Sequence, residues 1–139
     1  MRKYVLALTL LLMCCAASAQ KCSISYMSTA DFKSKIWNLQ GTEWQYIGHS
    51  PVVIDFYTTW CGPCKRLAPI MEELASENCG KVIFFKIDIE KEPELARKFG
   101  INSIPTLMFI PVSGMPGMLQ GLREKAELQG VINKHLLNK

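Results

Sequence analysis

Three runs of apolar, β-branched and aromatic residues punctuate the chain, at 52–57, 82–87 and 106–110. Val52-Val53-Ile54-Asp55-Phe56-Tyr57 is almost continuously apolar, the pattern of a strand buried on both faces. Val82 to Ile87 repeats that pattern with Lys86 as its one charged residue. Thr106 to Ile110 gives a third strand, and Met118 to Gln120 a shorter fourth beyond the turn residues of 111–117. Cys22 to Met27 is a candidate first strand. Helical spacing fills the gaps. Ser28-Thr29-Ala30-Asp31 has the Ser-x-x-acid form of a helix start, with Phe32 and Ile36 following on one face. Leu67, Ile70, Met71 and Leu74 recur at helical spacing between Gly62 and the Asn78–Gly80 stop, and Pro69 among them predicts a kink. Pro93 opens a helix through Leu95, Ala96 and Phe99 that stops at Gly100. Leu128, Val131, Ile132, His135 and Leu136 mark one face of a C-terminal helix. The order β-α-β-α-β-α-β-β-α predicts an α/β fold, a central mixed sheet with helices on both faces.

The N-terminus follows a different pattern. Met1-Arg2-Lys3 is basic, Tyr4 to Ala17 is apolar, and Ala17-Ser18-Ala19 precedes Gln20. This is the layout of a secretory signal with cleavage after Ala19, and the apolar run is too short to span a bilayer. Lipid attachment at Cys14 or Cys15 is the weaker alternative, because Met13 and Cys14 are poor matches to the small residue expected before a lipidated cysteine. Residues 1–19 are therefore expected to be a signal peptide and 20–139 a single domain. The expected location is periplasmic or secreted, with no stable membrane insertion once the signal is gone.

Composition narrows the function classes. The 139-residue chain is 49% hydrophobic and 20% charged, which excludes a disordered or collagen-like segment. Its net charge of +4 falls to +2 when Arg2 and Lys3 leave with the signal, too little to predict a nucleic-acid partner. A mature chain of this length buries about two-thirds of its unfolded surface, so its core does not depend on disulfides. The six cysteines therefore need another explanation. Cys14 and Cys15 leave with the signal, and Cys22, Cys61, Cys64 and Cys79 remain.

Cys61-Gly62-Pro63-Cys64 directly follows a buried strand and opens a helix. A zinc site would need a second close Cys/His pair, and Cys22, Cys79, His49 and His135 are scattered. A purely structural disulfide across so short a loop removes little chain entropy. Redox chemistry remains. Free N–H groups and the positive end of the helix dipole favour a thiolate at Cys61, the attacking sulfur. Cys64, one turn further on, is placed to resolve the mixed disulfide. Gly62 and Pro63 supply a tight turn and a rigid first helical position. Cys22 and Cys79 are not expected to be catalytic, and no spacing rule decides whether they pair. Met115 to Met118 reads as a turn and Glu72, Glu73 and Glu77 as a solvated helix face.

The stretch from Val53 through Trp60-Cys61-Gly62-Pro63-Cys64-Lys65 to Ala68-Pro69 resembles the active-site segment of the thioredoxin family, and Ile104-Pro105-Thr106 resembles its cis-proline loop. The likeness runs from about Thr29 to Leu137. It departs at Tyr57, where thioredoxins usually carry Trp, and in a longer connection over 38–50. With the signal, that connection resembles secreted bacterial members. The resemblance implies a thioredoxin fold and protein-disulfide reduction by dithiol exchange. It implies that Asp55, buried beneath Cys64, is the proton acceptor and donor, and that Lys86 tunes it. Read without the family, Asp55 pairs or caps structurally and Lys86 snorkels from a strand edge. The resemblance further implies a cis bond at Pro105 and a substrate surface of Trp60, Gly62, Pro63, Ile104, Pro105 and Gly121. No metal or organic cofactor is needed. The expected partners are proteins carrying disulfides and a membrane thiol protein as electron donor, with the chain itself a monomer. The alternatives are an exported oxidase or isomerase, and a non-catalytic peptide-binding module.

Overall fold

The computed structural model describes residues 22–139. The expected signal over 1–19, its cleavage after Ala19 and lipid attachment at Cys14 or Cys15 lie outside the described residues. Five strands form one sheet: β1 (Ser25–Tyr26), β2 (Val52–Tyr57), β3 (Ile83–Asp88), β4 (Thr106–Ile110) and β5 (Gly117–Gln120). Their spatial order is β1-β3-β2-β4-β5, with β1·β3 and β2·β3 parallel and β2·β4 and β4·β5 antiparallel. The central strand β2 is buried along its whole length, which explains its near-continuous hydrophobicity.

Among the described residues four α-helices cover the two faces. α1 (Thr29–Lys35) starts with the expected reciprocal cap, in which Ser28 Oγ accepts from the Asp31 N–H at 3.1 Å and the Ser28 N–H donates to Asp31 Oδ2 at 3.3 Å. Phe32 and Ile36 then point into a core with Ile54, Phe56, Leu95 and Met108. α3 (Pro93–Lys98) adds to this layer, and Phe99, just past its end, gathers Phe32, Trp37, Trp44 and Phe56 around its ring. The connection at 38–51 is thus packed by its own aromatic residue, Trp44.

The opposite face carries α2 (Gly62–Glu77) and α4 (Lys125–Val131), packed on Val53, Phe84, Leu107 and Phe109 through Leu67, Met71, Leu74 and Leu128. Burying each such large side chain contributes roughly 1.5–3 kcal/mol. α2 runs unbroken through Pro69, which lies on its exposed side. Its end is fixed by Asn78, whose Nδ2 donates to the Leu74 carbonyl and to Gln129 on α4, both at 2.8 Å. After α4 the chain widens into a π turn over Ile132–Leu136, with the Leu137 N–H reaching the Ile132 carbonyl. This corrects the expected C-terminal face: Ile132 and Leu136 stay buried, but the wider turn leaves His135 exposed.

Cys22 and Cys79 are joined in a disulfide with a Cα–Cα distance of 5.4 Å. It ties the segment before β1 to the residue just beyond α2. That long-range pairing has no signature in the sequence.

Candidate active site

The carboxyl end of β2 delivers the chain, through Thr58 to Trp60, to the first turn of α2. Cys61 is the N-cap of that helix. Its Sγ accepts from the Cys64 N–H at 3.1 Å, one of the donors a helix start leaves without an intrahelical partner. Pro63 sits in the first turn, where its missing N–H removes no helical bond. Cys61 and Cys64 form a disulfide, with Cα atoms 5.2 Å apart. Both sulfur-bearing residues are buried, Cys61 with 5% exposure and Cys64 with 4%. What distinguishes the two in this oxidised state is the capping position of Cys61.

The Ile104–Pro105 peptide is cis, as expected, and brings the β4 approach against the sulfurs. Cys61 Sγ lies 3.9 Å from the Ile104 carbonyl oxygen, and the Ile104 side chain packs on Tyr57, Cys61 and Cys64. Gly121, at φ +87° where a side chain would be strained, donates its N–H to the Pro105 carbonyl at 2.7 Å. Thr106 Oγ1 donates to the Ser103 carbonyl and fixes the other side of this loop. Gly62 is exposed and Pro63 half-buried beside the sulfurs. Trp60 is 66% exposed, its indole N–H held by Glu90 Oε1 at 2.9 Å.

Beneath Cys64 lies a cavity of about 100 Å³ lined by Asp55, Tyr57, Thr58, Cys64, Ala68 and Lys86 among others. Asp55 is 2% exposed, and its Oδ1 is buried without a hydrogen bond. Burial pushes the carboxyl from 3.8 up to about 6, against the opposing pull of the Lys86 charge. Lys86 is the register neighbour of Asp55 on β3, so both side chains rise from the same face of the sheet. Among the described residues no ion pair joins them; the ammonium lies 4.2 Å from the centre of the Tyr57 ring instead. Thr58, whose buried Oγ1 also makes no hydrogen bond, lines the same cavity. No motif or spacing along the chain singles it out. Nor does any point to Tyr26, whose ring centre is 5.5 Å from the same ammonium. Among the described residues no cluster of three His, Cys, Asp or Glu side chains is placed to hold a metal.

A disulfide at the N-cap of the helix that follows the central strand, faced by a cis-proline loop, is the arrangement of a thiol–disulfide oxidoreductase. Comparison with known proteins agrees. The profile of the Thioredoxin family matches residues 19–134. The thioredoxin of Borreliella burgdorferi is 36% identical over 107 residues, covering 76% of this chain and 92% of that protein. The thioredoxin of Haemophilus influenzae is 34% identical over 113 residues, covering 81% and 97%. A crystal structure of chloroplastic thioredoxin z superposes with a TM-score of 0.69 at 25% identity, over 81% of this chain and 93% of that one. The chain belongs to the thioredoxin family. It is a protein-disulfide reductase with the Cys61–Cys64 pair as its redox-active disulfide, and its substrates are protein disulfides.

Proposed function

We propose that this thioredoxin reduces disulfides in exported proteins after residues 1–19 are removed, with Cys61 as nucleophile, Cys64 as resolving thiol and Asp55 as proton acceptor. In the reduced protein the Cys61 thiolate attacks one sulfur of the substrate disulfide. The substrate S–S bond breaks, its second sulfur leaves as a thiolate that takes a proton from water, and a Cys61–substrate bond forms. Cys64 then passes its proton to the Asp55 carboxylate and its sulfur attacks Cys61 Sγ. The Cys61–Cys64 bond forms as the Cys61–substrate bond breaks, and the first substrate sulfur leaves as a thiolate that takes up the proton held by Asp55. The substrate gains two electrons and ends as a dithiol; the protein ends as the disulfide. Lys86 tempers the proton affinity of Asp55. The substrate peptide lies along Trp60, Gly62, Pro63 and Gly121 and pairs with the Ile104 backbone beside Pro105. Two electrons then return from a membrane protein with its own dithiol, because an exported reductase has no other evident source of electrons.

The observation that carries this reading is the position of Cys61 Sγ as cap of α2, 3.1 Å from the Cys64 N–H, with the buried Asp55 carboxylate behind Cys64. Charge on a capping sulfur is stabilised by the helix start, and a carboxyl near pKa 6 can take and return a proton near neutral pH. Insulin reduction tests the assignment. Cys61→Ser is expected to fall to the rate of dithiothreitol alone, while Cys64→Ser, expressed in the host, is expected to hold exported proteins as mixed disulfides on Cys61. A Cys61→Ser variant that still reduces insulin contradicts the nucleophile, and trapped proteins drawn solely from the cytosol contradict the compartment.

A further inference from the structure

Among the described residues four buried side-chain polar atoms make no hydrogen bond: Trp44 Nε1, Asp55 Oδ1, Thr58 Oγ1 and Arg123 Nε. Such atoms are rare in folded proteins, because each gives up the hydrogen bonds it made to water. Two of the four belong to residues on the wall of one cavity, the space of about 100 Å³ beneath Cys64. The two are also chemically complementary. An ionised carboxylate accepts hydrogen bonds and donates none, whereas a threonine hydroxyl does both.

Their placement follows from the end of β2. Asp55 lies within the strand, and Thr58 stands just past its last residue, Tyr57, where the chain turns towards α2. Thr58 is 1% exposed and Asp55 2%, so bulk solvent satisfies neither. Lys86 does not do so either, since its ammonium lies over the Tyr57 ring and, among the described residues, joins no ion pair with Asp55. Nor do the hydroxyl and the carboxylate bond to each other. A partner common to both has to occupy the cavity they share, giving a proton to the carboxylate while bonding the hydroxyl. Water has that chemistry, and the cavity exceeds several-fold the roughly 10–15 Å³ that one water requires.

We propose that Thr58 is a positioning residue of the proton site, its hydroxyl anchoring a water in this cavity that donates a hydrogen bond to Asp55 Oδ1. A donor held there favours the ionised carboxyl, the form that accepts the proton of Cys64. Burial works against that form, and the Lys86 charge offsets burial only in part. Thr58 and Lys86 therefore act in the same direction, one through a hydrogen bond and the other through charge. The functional meaning of this arrangement rests on Asp55 being the proton acceptor; the coupling of hydroxyl to carboxyl does not.

The other titratable groups around Asp55 are Lys86 from β3, Tyr57 from its own strand, and Cys64 and Lys65 from α2, while its β4 partner Leu107 carries no charge. Tyr26, Asp31, Asp88, Lys91 and Glu92 line the neighbouring cavity, which Tyr57 and Lys86 also line. Thr58→Val changes none of these charges and replaces the hydroxyl by a methyl group of similar size.

The test is a titration of the Asp55 carboxyl carbon by NMR in the full domain with both disulfides intact. Thr58→Val is expected to raise the midpoint by about half a pH unit, the size of one hydrogen bond expressed as a pKa shift. Thr58→Ser, which keeps the hydroxyl, is expected to hold the wild-type midpoint. A crystal structure of the wild-type domain is expected to show a water within hydrogen-bond distance of both Thr58 Oγ1 and Asp55 Oδ1. A midpoint that stays or falls in Thr58→Val, one that rises as far in Thr58→Ser, or a wild-type cavity without that water overturns the proposal. The rate of exchange reads the functional meaning. Resolution by Cys64 in Thr58→Val is expected to slow about twofold at pH 6, where fewer carboxyls are ionised, and to match wild type at pH 8. A failure of the Asp55 assignment is seen separately, as an Asp55→Asn variant that resolves mixed disulfides at the wild-type rate.

Discussion

Two disulfides stand at opposite ends of α2, with similar Cα separations of 5.2 and 5.4 Å, and do different work. Cys61–Cys64 spans three residues at the helix start, where the bond closes little chain but one sulfur accepts from a backbone N–H that has no intrahelical partner. Cys22–Cys79 spans 57 residues at the helix end, away from the cis-proline loop and the buried carboxylate. Loop closure restricts the unfolded chain by about 4 kcal/mol for the long bridge and roughly half that for the short one. The same covalent bond is a reagent where the local electrostatics favour a thiolate, and a staple where the intervening chain is long. Location on the helix, rather than bond type, separates the two roles.

The largest effect that sharpens this contrast comes from opening the staple. Cys22→Ser with Cys79→Ser is expected to lower unfolding free energy by about 4 kcal/mol in denaturant titration, with insulin reduction within about twofold of wild type. Loss of activity without loss of stability in that variant would reverse the two assignments. At the other end the sign is opposite. Because burial raises the folded-state pKa of Asp55 from 3.8 to about 6, the folded protein binds this proton more tightly than the unfolded chain does. The buried carboxylate therefore opposes folding by about 3 kcal/mol above pH 6, progressively less as the pH falls towards 3.8, and not at all below it. Asp55→Asn is expected to be more stable than wild type at pH 8 and equal to it at pH 3. The same substitution is expected to slow resolution by Cys64 more than attack by Cys61. The smallest effect concerns the cap that follows β1: Ser28→Ala is expected to reduce stability by about 1 kcal/mol and to leave exchange rates unchanged.

Much of this was legible in the sequence where local rules act. The continuous apolar run at 52–57 announced a central strand, and Ser28 with Asp31 announced a capped helix. The placement of Cys61 directly after that strand and at a helix start identified the redox pair. The cis bond at Pro105 came from family resemblance alone, since X-Pro is cis in only a few per cent of cases. What escaped depends on the assembled sheet. Tyr26 meets Lys86 only through the β1·β3 register, set between segments about sixty residues apart, and β1 is too short to announce its own phase. Thr58 draws attention only because its hydroxyl is buried in the Asp55 cavity without a partner. The Cys22–Cys79 pairing required the end of α2 to be brought against the N-terminal segment. At the C-terminus, strict i, i+3, i+4 counting assumed an α-helix throughout, and the π turn at Ile132–Leu136 released His135 from the face that counting assigned it.

The start of α2 makes Cys61 the reactive sulfur. The direct measurement is the pH dependence of alkylation of Cys61 in the reduced protein, compared with that of Cys64. Cys61 is expected to titrate below the ~8.5 of a free cysteine, with Cys64 titrating above it. A Cys61 that titrates at or above that value, or after Cys64, would contradict it.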